Sequence, residues 1–353
     1  MYSRILFFGT ASALALTGQA VLADTISPLT FSMDDLAVGE SVTIEKTVTV
    51  SEGAPTGALL DVVFLFDTTG SMGPFIAGAQ DAAEDILTSL SSFGDLASGT
   101  GFYGDPNFDG VVSDLTTNDA TTIASINTFA AGIPDGGGDF AEVGNAAISD
   151  AAESASFRTG SNRFIVALGD APFKDSPSDD EVISDLEAAN ALLFGVDFST
   201  FAGFESSIVE LGGEVFDSSS DPASIASAIT EGVATGFSEY ETVSVGDLGG
   251  GLPEIDVSVV CTDADIGACV GAEAVGDFDR SIERSFAFDV TFTRTAEGNT
   301  TFLTHALVDG GIVASEEDTF GGDTFGHVIP VPASLPLLLA GFGALGFARR
   351  MKG

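Results

Sequence analysis

The chain has 353 residues, of which 53 are acidic and only 11 are basic, and its formal net charge is −42. A protein this acidic is not expected to bind nucleic acid, because phosphate recognition needs a cationic surface. It has only two histidines and two cysteines. A zinc site is not expected, because the chain has neither Cys-x-x-Cys spacing nor a cluster of histidines. A histidine-dependent catalytic triad is not expected either, because His305 lies in a predicted strand and His327 beside the C-terminal tail.

Residues 1–23 are typical of a secretory signal peptide. Arg4 precedes an apolar stretch over residues 5–16, and Val21 and Ala23 stand at the spacing that signal peptidase prefers. We expect an exported protein whose mature chain begins at Asp24. An N-terminal membrane anchor that stays attached is the alternative.

Residues 24–57 are predicted to form an N-terminal β segment. Val42, Ile44, Val48 and Val50 alternate along residues 41–50, which indicates a half-buried strand. Lys46 interrupts this apolar face, which favours a position at the edge of a sheet.

Residues 58–235 alternate between strand and helix patterns, which predicts an α/β fold with a doubly wound (Rossmann-like) sheet. Residues 59–66 form a nearly continuous apolar run, typical of a strand buried on both faces of a parallel sheet. The remaining expected strands are 101–103, 163–168, 193–198 and 214–216, and the expected helices are 74–90, 121–129, 142–155, 180–193 and 222–233. Ligands of such folds bind at the carboxyl ends of the strands.

Residues 236–327 return to an alternating pattern and are predicted to form a small β-sandwich with strands at 256–260, 286–295 and 300–307. Cys261 and Cys269 are expected to form a disulfide in an exported protein. The N-terminal strands lack partners of their own. We therefore expect them to complete this sandwich, with the α/β domain inserted into it.

Residues 328–353 have the three parts of a sorting signal. The sequence Ile-Pro-Val-Pro-Ala at 329–333 precedes an apolar run at 335–347, and Arg349, Arg350 and Lys352 follow. This tail resembles the VPLPA variant of bacterial PEP-CTERM signals, although Ile329 and Val331 depart from that pattern. The resemblance implies processing by an exosortase-like membrane protease, with a membrane helix that anchors the chain transiently or permanently at the cell envelope. An ordinary tail anchor is the alternative.

Asp67, Thr69 and Ser71 alternate directly after the first buried strand of the α/β domain. A carboxylate and two hydroxyls form a ligand set of oxygen atoms, which suits Mg²⁺, Mn²⁺ or Ca²⁺. The motif resembles the metal-ion-dependent adhesion site (MIDAS) of von Willebrand factor A and integrin I-like domains. Thr69 stands where the family usually has Ser.

The same resemblance implies ligands from two further loops. Asp170, after the strand at 163–168, is similar to the third-loop aspartate of the family. The segment Gly136, Gly137, Gly138, Asp139, Phe140, Ala141 and Glu142 resembles its second loop. Glu142 is the first choice for the second-loop ligand and Asp139 the second.

Residues 105–110 are similar to the start of an EF-hand calcium loop, with Asp105, Asn107 and Asp109 as possible ligands of a second calcium ion. Thr116 stands at the twelfth position, where such loops have a bidentate carboxylate. An acidic surface turn is the alternative.

The resemblance implies a non-enzymatic adhesion protein of the cell envelope or extracellular matrix. The cation would bind an acidic group of a partner protein or exopolysaccharide. One alternative is a secreted structural or regulatory protein in which the cation only stabilises the fold. Another is a metal-dependent phosphotransferase or hydrolase with Asp67 as nucleophile, backed by Lys174 and Asp170.

Overall fold

A computed structural model describes residues 23–132, 139–198, 201–248 and 254–321. The predicted signal peptide up to residue 22, the three glycines at 136–138 and the sorting tail lie outside these residues. No helix within the described ranges is long and apolar enough to cross a membrane.

The first three strands precede the α/β domain. They are β1 (Thr25–Ser27), β2 (Thr30–Met33) and β3 (Ser41–Val50).

The α/β domain follows, and its elements alternate as the sequence predicts. They are β4 (Ala58–Asp67), α1 (Gly73–Leu90), β5 (Gly94–Tyr103), β6 (Phe108–Thr116), α2 (Asp119–Ile126), α3 (Gly144–Ser154), β7 (Asn162–Gly169), α4 (Asp179–Ala189), β8 (Ala191–Asp197), α5 (Phe204–Glu210), β9 (Glu214–Asp217) and α6 (Pro222–Gly236). The strand expected at 101–103 is the end of the longer β5. Strand β6 and helix α5 were not predicted.

The sheet of this domain has the strand order β6-β5-β4-β7-β8-β9. All neighbouring strands are parallel except β6, which pairs antiparallel with β5 at one edge. Helices cover both faces, as in a doubly wound fold. In β4, Val62 and Phe64 pack into the core with α1 and α6, whereas Val63 and Leu65 pack into the core with α3 and α4. This confirms a strand buried on both faces.

The C-terminal strands are β10 (Glu239–Gly246), β11 (Ile255–Ala264), β12 (Ala268–Val270), β13 (Glu273–Asp279), β14 (Arg284–Arg294), β15 (Thr300–Val308) and β16 (Gly311–Phe320). They and the N-terminal strands form two sheets, β1-β3-β14-β11 and β12-β13-β10-β15-β16-β2. One apolar core with residues from both sheets lies between them. The α/β domain is therefore inserted into a β-sandwich, as expected.

The expectation that β3 is an edge strand holds only for residues 41–46, because β1 pairs with residues 47–49 alone. Strand β3 lies between β1 and β14 and pairs with β14 along its full length. Lys46 is fully buried in the core rather than exposed at an edge. Its ammonium group has acidic partners on the opposite sheet, which removes the reason for placing it near solvent.

The sandwich contacts the α/β domain at the amino end of the parallel strands. Asn162, the first residue of β7, donates hydrogen bonds from Nδ2 to the carbonyl oxygens of Leu59 and Ile312, each at 3.0 Å. Ile312 belongs to β16 of the sandwich. The carboxyl ends of the parallel strands, at the opposite edge, are therefore left for the loops of the α/β domain itself.

Within the sandwich, Cys261 and Cys269 are joined by a disulfide that connects β11 to β12. Arg280 forms a buried ion pair with Asp24, at 2.8 Å between Nη2 and Oδ2. The first residue expected in the mature chain is thereby fixed to the C-terminal half of the sandwich.

Candidate metal-binding site

The strand order places Asp67 and Asp170 side by side. Strand β4 ends at Asp67, and Asp170 directly follows the neighbouring strand β7. The chain leaves β4 towards β5 on one side and later returns to β7 on the other side, so the topological switch point lies between these two strand ends. Both side chains are fully buried. The two carboxylates thus occupy the position at which doubly wound sheets bind ligands.

A chain of hydrogen bonds links the first and third loops. Asp67 Oδ1 accepts from the Thr69 amide at 2.8 Å and from Thr69 Oγ1 at 2.6 Å. Thr69 Oγ1 lies 3.4 Å from Ser71 Oγ, which donates to Asp170 Oδ1 at 3.0 Å. The structure therefore brings together the four residues Asp67, Thr69, Ser71 and Asp170 that the sequence predicts.

Glu142 is attached to the third loop through its backbone. Its amide donates to the Pro172 carbonyl at 2.9 Å, and its carbonyl accepts from the Lys174 amide at 2.8 Å. The side chain is buried, and Oε2 accepts no hydrogen bond from the described residues. Oδ2 of Asp67 is likewise buried and accepts no hydrogen bond from the described residues. These two oxygens are buried acceptors that need a donor, a proton or a cation.

Asp139, the second choice for the second-loop ligand, is placed differently. Its side chain is 71% exposed and forms an ion pair with Lys174 at 2.8 Å, and Lys174 also pairs with Asp105. The Asp139 amide donates to Asp105 Oδ2 at 3.0 Å. Burial and the lack of a competing cation therefore favour Glu142 over Asp139 as a ligand.

The pKa values of two carboxyl groups in the site are raised. Burial raises the pKa of Asp67 to about 7, against the hydrogen bonds from Thr69, and the charge of Asp170 adds to the rise. Burial also raises the pKa of Glu142 to about 8, with further contributions from Asp67 and Asp105. In the absence of a cation, each group therefore favours its neutral form more than an exposed carboxyl does.

Oxygen-binding divalent cations fit these residues better than other metals do. Within the described residues, no group of three or more His, Cys, Asp or Glu side chains lies close enough to hold a metal by itself. A site at this edge therefore depends on the hydroxyls of Thr69 and Ser71 beside the carboxylates. Such a set of hard oxygen donors suits Mg²⁺, Mn²⁺ or Ca²⁺.

The structure does not provide the calcium loop expected from residue 105 onwards. Its second half is strand β6, and Asp109 Oδ1 accepts from the amide of Val111 in that strand. Asp105 is held by Lys174 and by the Asp139 amide. Asn107 lies in the short connection between β5 and β6. The backbone of this segment, a short connection followed by an edge strand, therefore differs from an EF-hand loop, and calcium binding by Asp105, Asn107 and Asp109 stays a prediction.

Three residues near the site were not singled out from the sequence. Tyr103, at the end of β5, is buried and donates from its hydroxyl to the Leu168 carbonyl at 3.0 Å. Its pKa is raised well above its ordinary value by burial and then by the charges of Asp67 and its acidic neighbours. Thr68 accepts from the Gly132 amide at 2.6 Å, which ties the first loop to the start of the second. Asp197 is a further buried carboxylate, at the end of β8.

Similarity to known proteins is found among solved structures. A scan against protein-family models and a search of curated proteins both give no match. Among solved structures, the chain is similar to one described as von Willebrand factor type A from Catenulispora acidiphila, with a TM-score of 0.39 and 14% sequence identity. The similarity covers 86% of this chain and 74% of the other.

Proposed function

We propose that this is an exported adhesion protein whose α/β domain binds a divalent cation in a MIDAS-like site. Asp67, Thr69, Ser71, Asp170 and Glu142 would hold the ion. The bound ion would supply a Lewis-acidic position for a carboxylate or similar anionic oxygen of a partner protein or exopolysaccharide. The observation that carries the proposal is the pair of buried oxygens, Asp67 Oδ2 and Glu142 Oε2, that accept no hydrogen bond from the described residues.

The surface around the site supports a role in binding. Phe140 and Phe201 are 53% and 42% exposed, and their rings meet edge to face at 5.2 Å between centroids. Phe140 lies two residues before Glu142, and Phe201 lies in the connection after β8. Exposed aromatic side chains beside a polar group are common anchors of interfaces. A partner with an acidic group next to an apolar surface would fit this arrangement.

The loops around the site are held without a cation, which argues against a purely structural ion. The Thr68 carbonyl binds the Gly132 amide, and the Glu142 backbone is bonded on both sides to the third loop. The β-sandwich contacts the opposite end of the sheet through Asn162. This leaves the site at the end of the molecule away from the sandwich, where a large partner could reach it.

The phosphotransferase alternative has less support. It needs the ammonium group of Lys174 beside Asp67, but this group is paired with Asp105 and Asp139. The secretion signal and the sorting tail remain the basis for proposing export and attachment at the envelope or matrix.

An attachment assay tests the proposal. The full chain is applied to surfaces that carry either a carboxylated or a neutral polysaccharide, with Mg²⁺ or with EDTA, in enough salt to screen the charge of the protein. We expect binding only to the carboxylated surface and only with Mg²⁺, with loss in Asp67→Asn. Asp81→Asn, which removes an exposed carboxylate on α1, is the matched control and should bind like the wild type. Binding that survives EDTA would contradict the proposal, and a lower melting temperature in EDTA without any attachment would favour the structural role.

A further inference from the structure

The core of the β-sandwich contains a lysine and two carboxylic acids. Lys46 is on β3, whereas Glu316 and Asp318 are on β16 in the opposite sheet. All three side chains have no exposed surface. The cluster lies in the sandwich and shares no residue with the candidate cation site, so any role that it has is independent of the proposed function.

The two acids contact Lys46 in different ways. Asp318 accepts from Lys46 Nζ at 3.0 Å (Oδ1) and 3.2 Å (Oδ2), and Oδ2 also accepts from Thr304 Oγ1 at 2.5 Å. Glu316 Oε1 is in direct contact with Nζ, yet neither oxygen of Glu316 accepts a well-formed hydrogen bond from the described residues. The two acids therefore differ in their hydrogen bonding: both oxygens of Asp318 have donors, whereas neither oxygen of Glu316 has one among the described residues.

Aromatic rings surround the cluster. Lys46 Nζ lies 5.4 Å from the centroid of the Phe292 ring, and Phe292 packs against Phe302 and Phe320. Burial lowers the pKa of Lys46, against the attraction of Asp318. A dry environment therefore holds an amine and a carboxyl group in contact and disfavours the charge on each of them.

We propose that Lys46 and Glu316 are joined by an amide bond between their side chains, formed in the folded sandwich with Asp318 as the proton-transfer group. The neutral amine of Lys46 attacks Cδ of the protonated Glu316 carboxyl group. Asp318 accepts a proton from the nitrogen and passes it to the departing hydroxyl. A C–N bond forms, a C–O bond breaks, one water molecule leaves and Asp318 returns to its carboxylate form.

Glu316 is the acceptor rather than Asp318 because of the difference in hydrogen bonding. Asp318 accepts hydrogen bonds from Lys46 and Thr304, which hold its oxygens beside the reacting nitrogen, whereas Glu316 touches the nitrogen without any hydrogen bond that would have to break. Asp318 also touches the nitrogen that must lose protons, at 3.0 Å.

The position of the bond in the chain has a mechanical consequence. Lys46 precedes the α/β domain and Glu316 follows it, so the bond would close a covalent ring that contains the whole inserted domain. A pulling force between the start of β1 and the end of β16 would then pass through the bond and not through the α/β domain.

Tryptic mapping of the reduced and alkylated full chain tests the proposal. We expect no cleavage after Lys46, and we expect the peptide that contains it to be linked to the one beginning at Thr295. The linked pair should weigh one water molecule less than its two parts. Tandem mass spectrometry should locate the bond at Glu316. Separate linear peptides with an unmodified Lys46 and Glu316 in the wild type would overturn the proposal, and a bond to Asp318 would overturn the assignment of the acceptor.

Variants separate the roles of the three residues. Lys46→Arg and Glu316→Ala should abolish the linked pair, whereas Asp318→Asn should leave most of the chain unlinked with both reacting groups present. Glu317→Ala, which removes an exposed carboxylate between the two acids, should form the link as completely as the wild type does. Full linkage in Asp318→Asn would contradict the role given to Asp318. The wild-type map is decisive even if a core variant fails to fold.

Discussion

The two domains each bury a cluster of carboxylic acids, but they balance its charge in different ways. In the β-sandwich, Glu316 and Asp318 have the ammonium group of Lys46 among them. In the α/β domain, Asp67 accepts from the hydroxyl of Thr69, Oε2 of Glu142 accepts no hydrogen bond from the described residues, and the nearby Lys174 is paired with Asp105 and Asp139 instead. The first cluster contains its own basic side chain. The second leaves buried oxygens that a proton or an external cation must satisfy.

The difference shows what distinguishes a structural cluster from a candidate binding site. The acids of both clusters are buried, those of the sandwich within a strand and Asp67 at the end of one. Burial alone therefore does not distinguish a structural cluster from a binding site. The distinguishing feature is the unmet need for positive charge at a sheet edge that carries loops.

The largest expected effect comes from removing the cation of the sandwich. Lys46→Met leaves two acids buried without their partner and should lower the free energy of unfolding by about 3–5 kcal/mol. Denaturant titration gives this value. A loss below about 1 kcal/mol in Lys46→Met would contradict the importance given to this cluster.

The pH dependence of stability tests the unbalanced charge of the α/β site. The pKa values of Asp67 and Glu142 are raised from 3.8 and 4.5 to about 7 and about 8. The fold therefore favours their protonated forms. The resulting stabilisation is complete below the unfolded values and is lost as pH rises through 7 and 8.

We expect these two groups to lower the melting temperature in EDTA between about pH 4 and about pH 8, at roughly 2–4 °C per kcal/mol lost, and to have no further effect above that range. Saturating Mg²⁺ should reduce the fall, because metal binding displaces the protons. Asp67→Asn should also flatten the curve, since it removes one of the two groups. Identical curves for Asp67→Asn and the wild type in EDTA would contradict the pKa assigned to Asp67.

A smaller effect separates the two candidate ligands of the second loop. Glu142→Gln should weaken cation binding by about 10- to 100-fold or more, the range seen even when the groups behind metal ligands are changed. Asp139→Asn should change it by less than about threefold, because Asp139 is exposed and paired with Lys174. Isothermal titration with Mg²⁺ measures both. The reverse order would assign the ligand to Asp139.

The smallest effect concerns the aromatic rim. Phe140→Ala should weaken partner binding by about five- to tenfold, the loss of roughly 1 kcal/mol typical of an interface aromatic. It should leave the affinity for Mg²⁺ unchanged. Val270→Ala, at an exposed position on β12 of the sandwich, is the control and should affect neither. An equal effect of both variants on partner binding would exclude a specific rim.

The parts of the fold that follow strong periodic patterns could be predicted from the sequence. The apolar run at 59–66 needs two cores to bury it, and β4 has them. Asp67 and Asp170 follow buried parallel strands, so their meeting at one sheet edge was predictable. The choice between Glu142 and Asp139 was not, because it depends on where Lys174 lies in space.

Strand β16 shows why the cluster of the sandwich was missed. Its central residues, Ser315, Glu316, Glu317 and Asp318, look like a solvated turn because they are polar. Glu316 and Asp318 nevertheless face the core, since Lys46 of the opposite sheet meets them there. A lysine alone, or two acids alone, would be expected at the surface because burying an unpaired charge is costly. Burial of Lys46 and of the two acids becomes favourable only when they meet, and they are about 270 residues apart in the sequence.

Calorimetric titration of the full chain with Mg²⁺, Mn²⁺ and Ca²⁺ tests the central claim most directly. In salt high enough to screen weak surface binding, the wild type and Asp81→Asn should each bind one ion per chain, with release of protons. Asp67→Asn should show no saturable binding of any of the three ions. Equal binding by Asp67→Asn and the wild type would contradict a cation site at the end of β4.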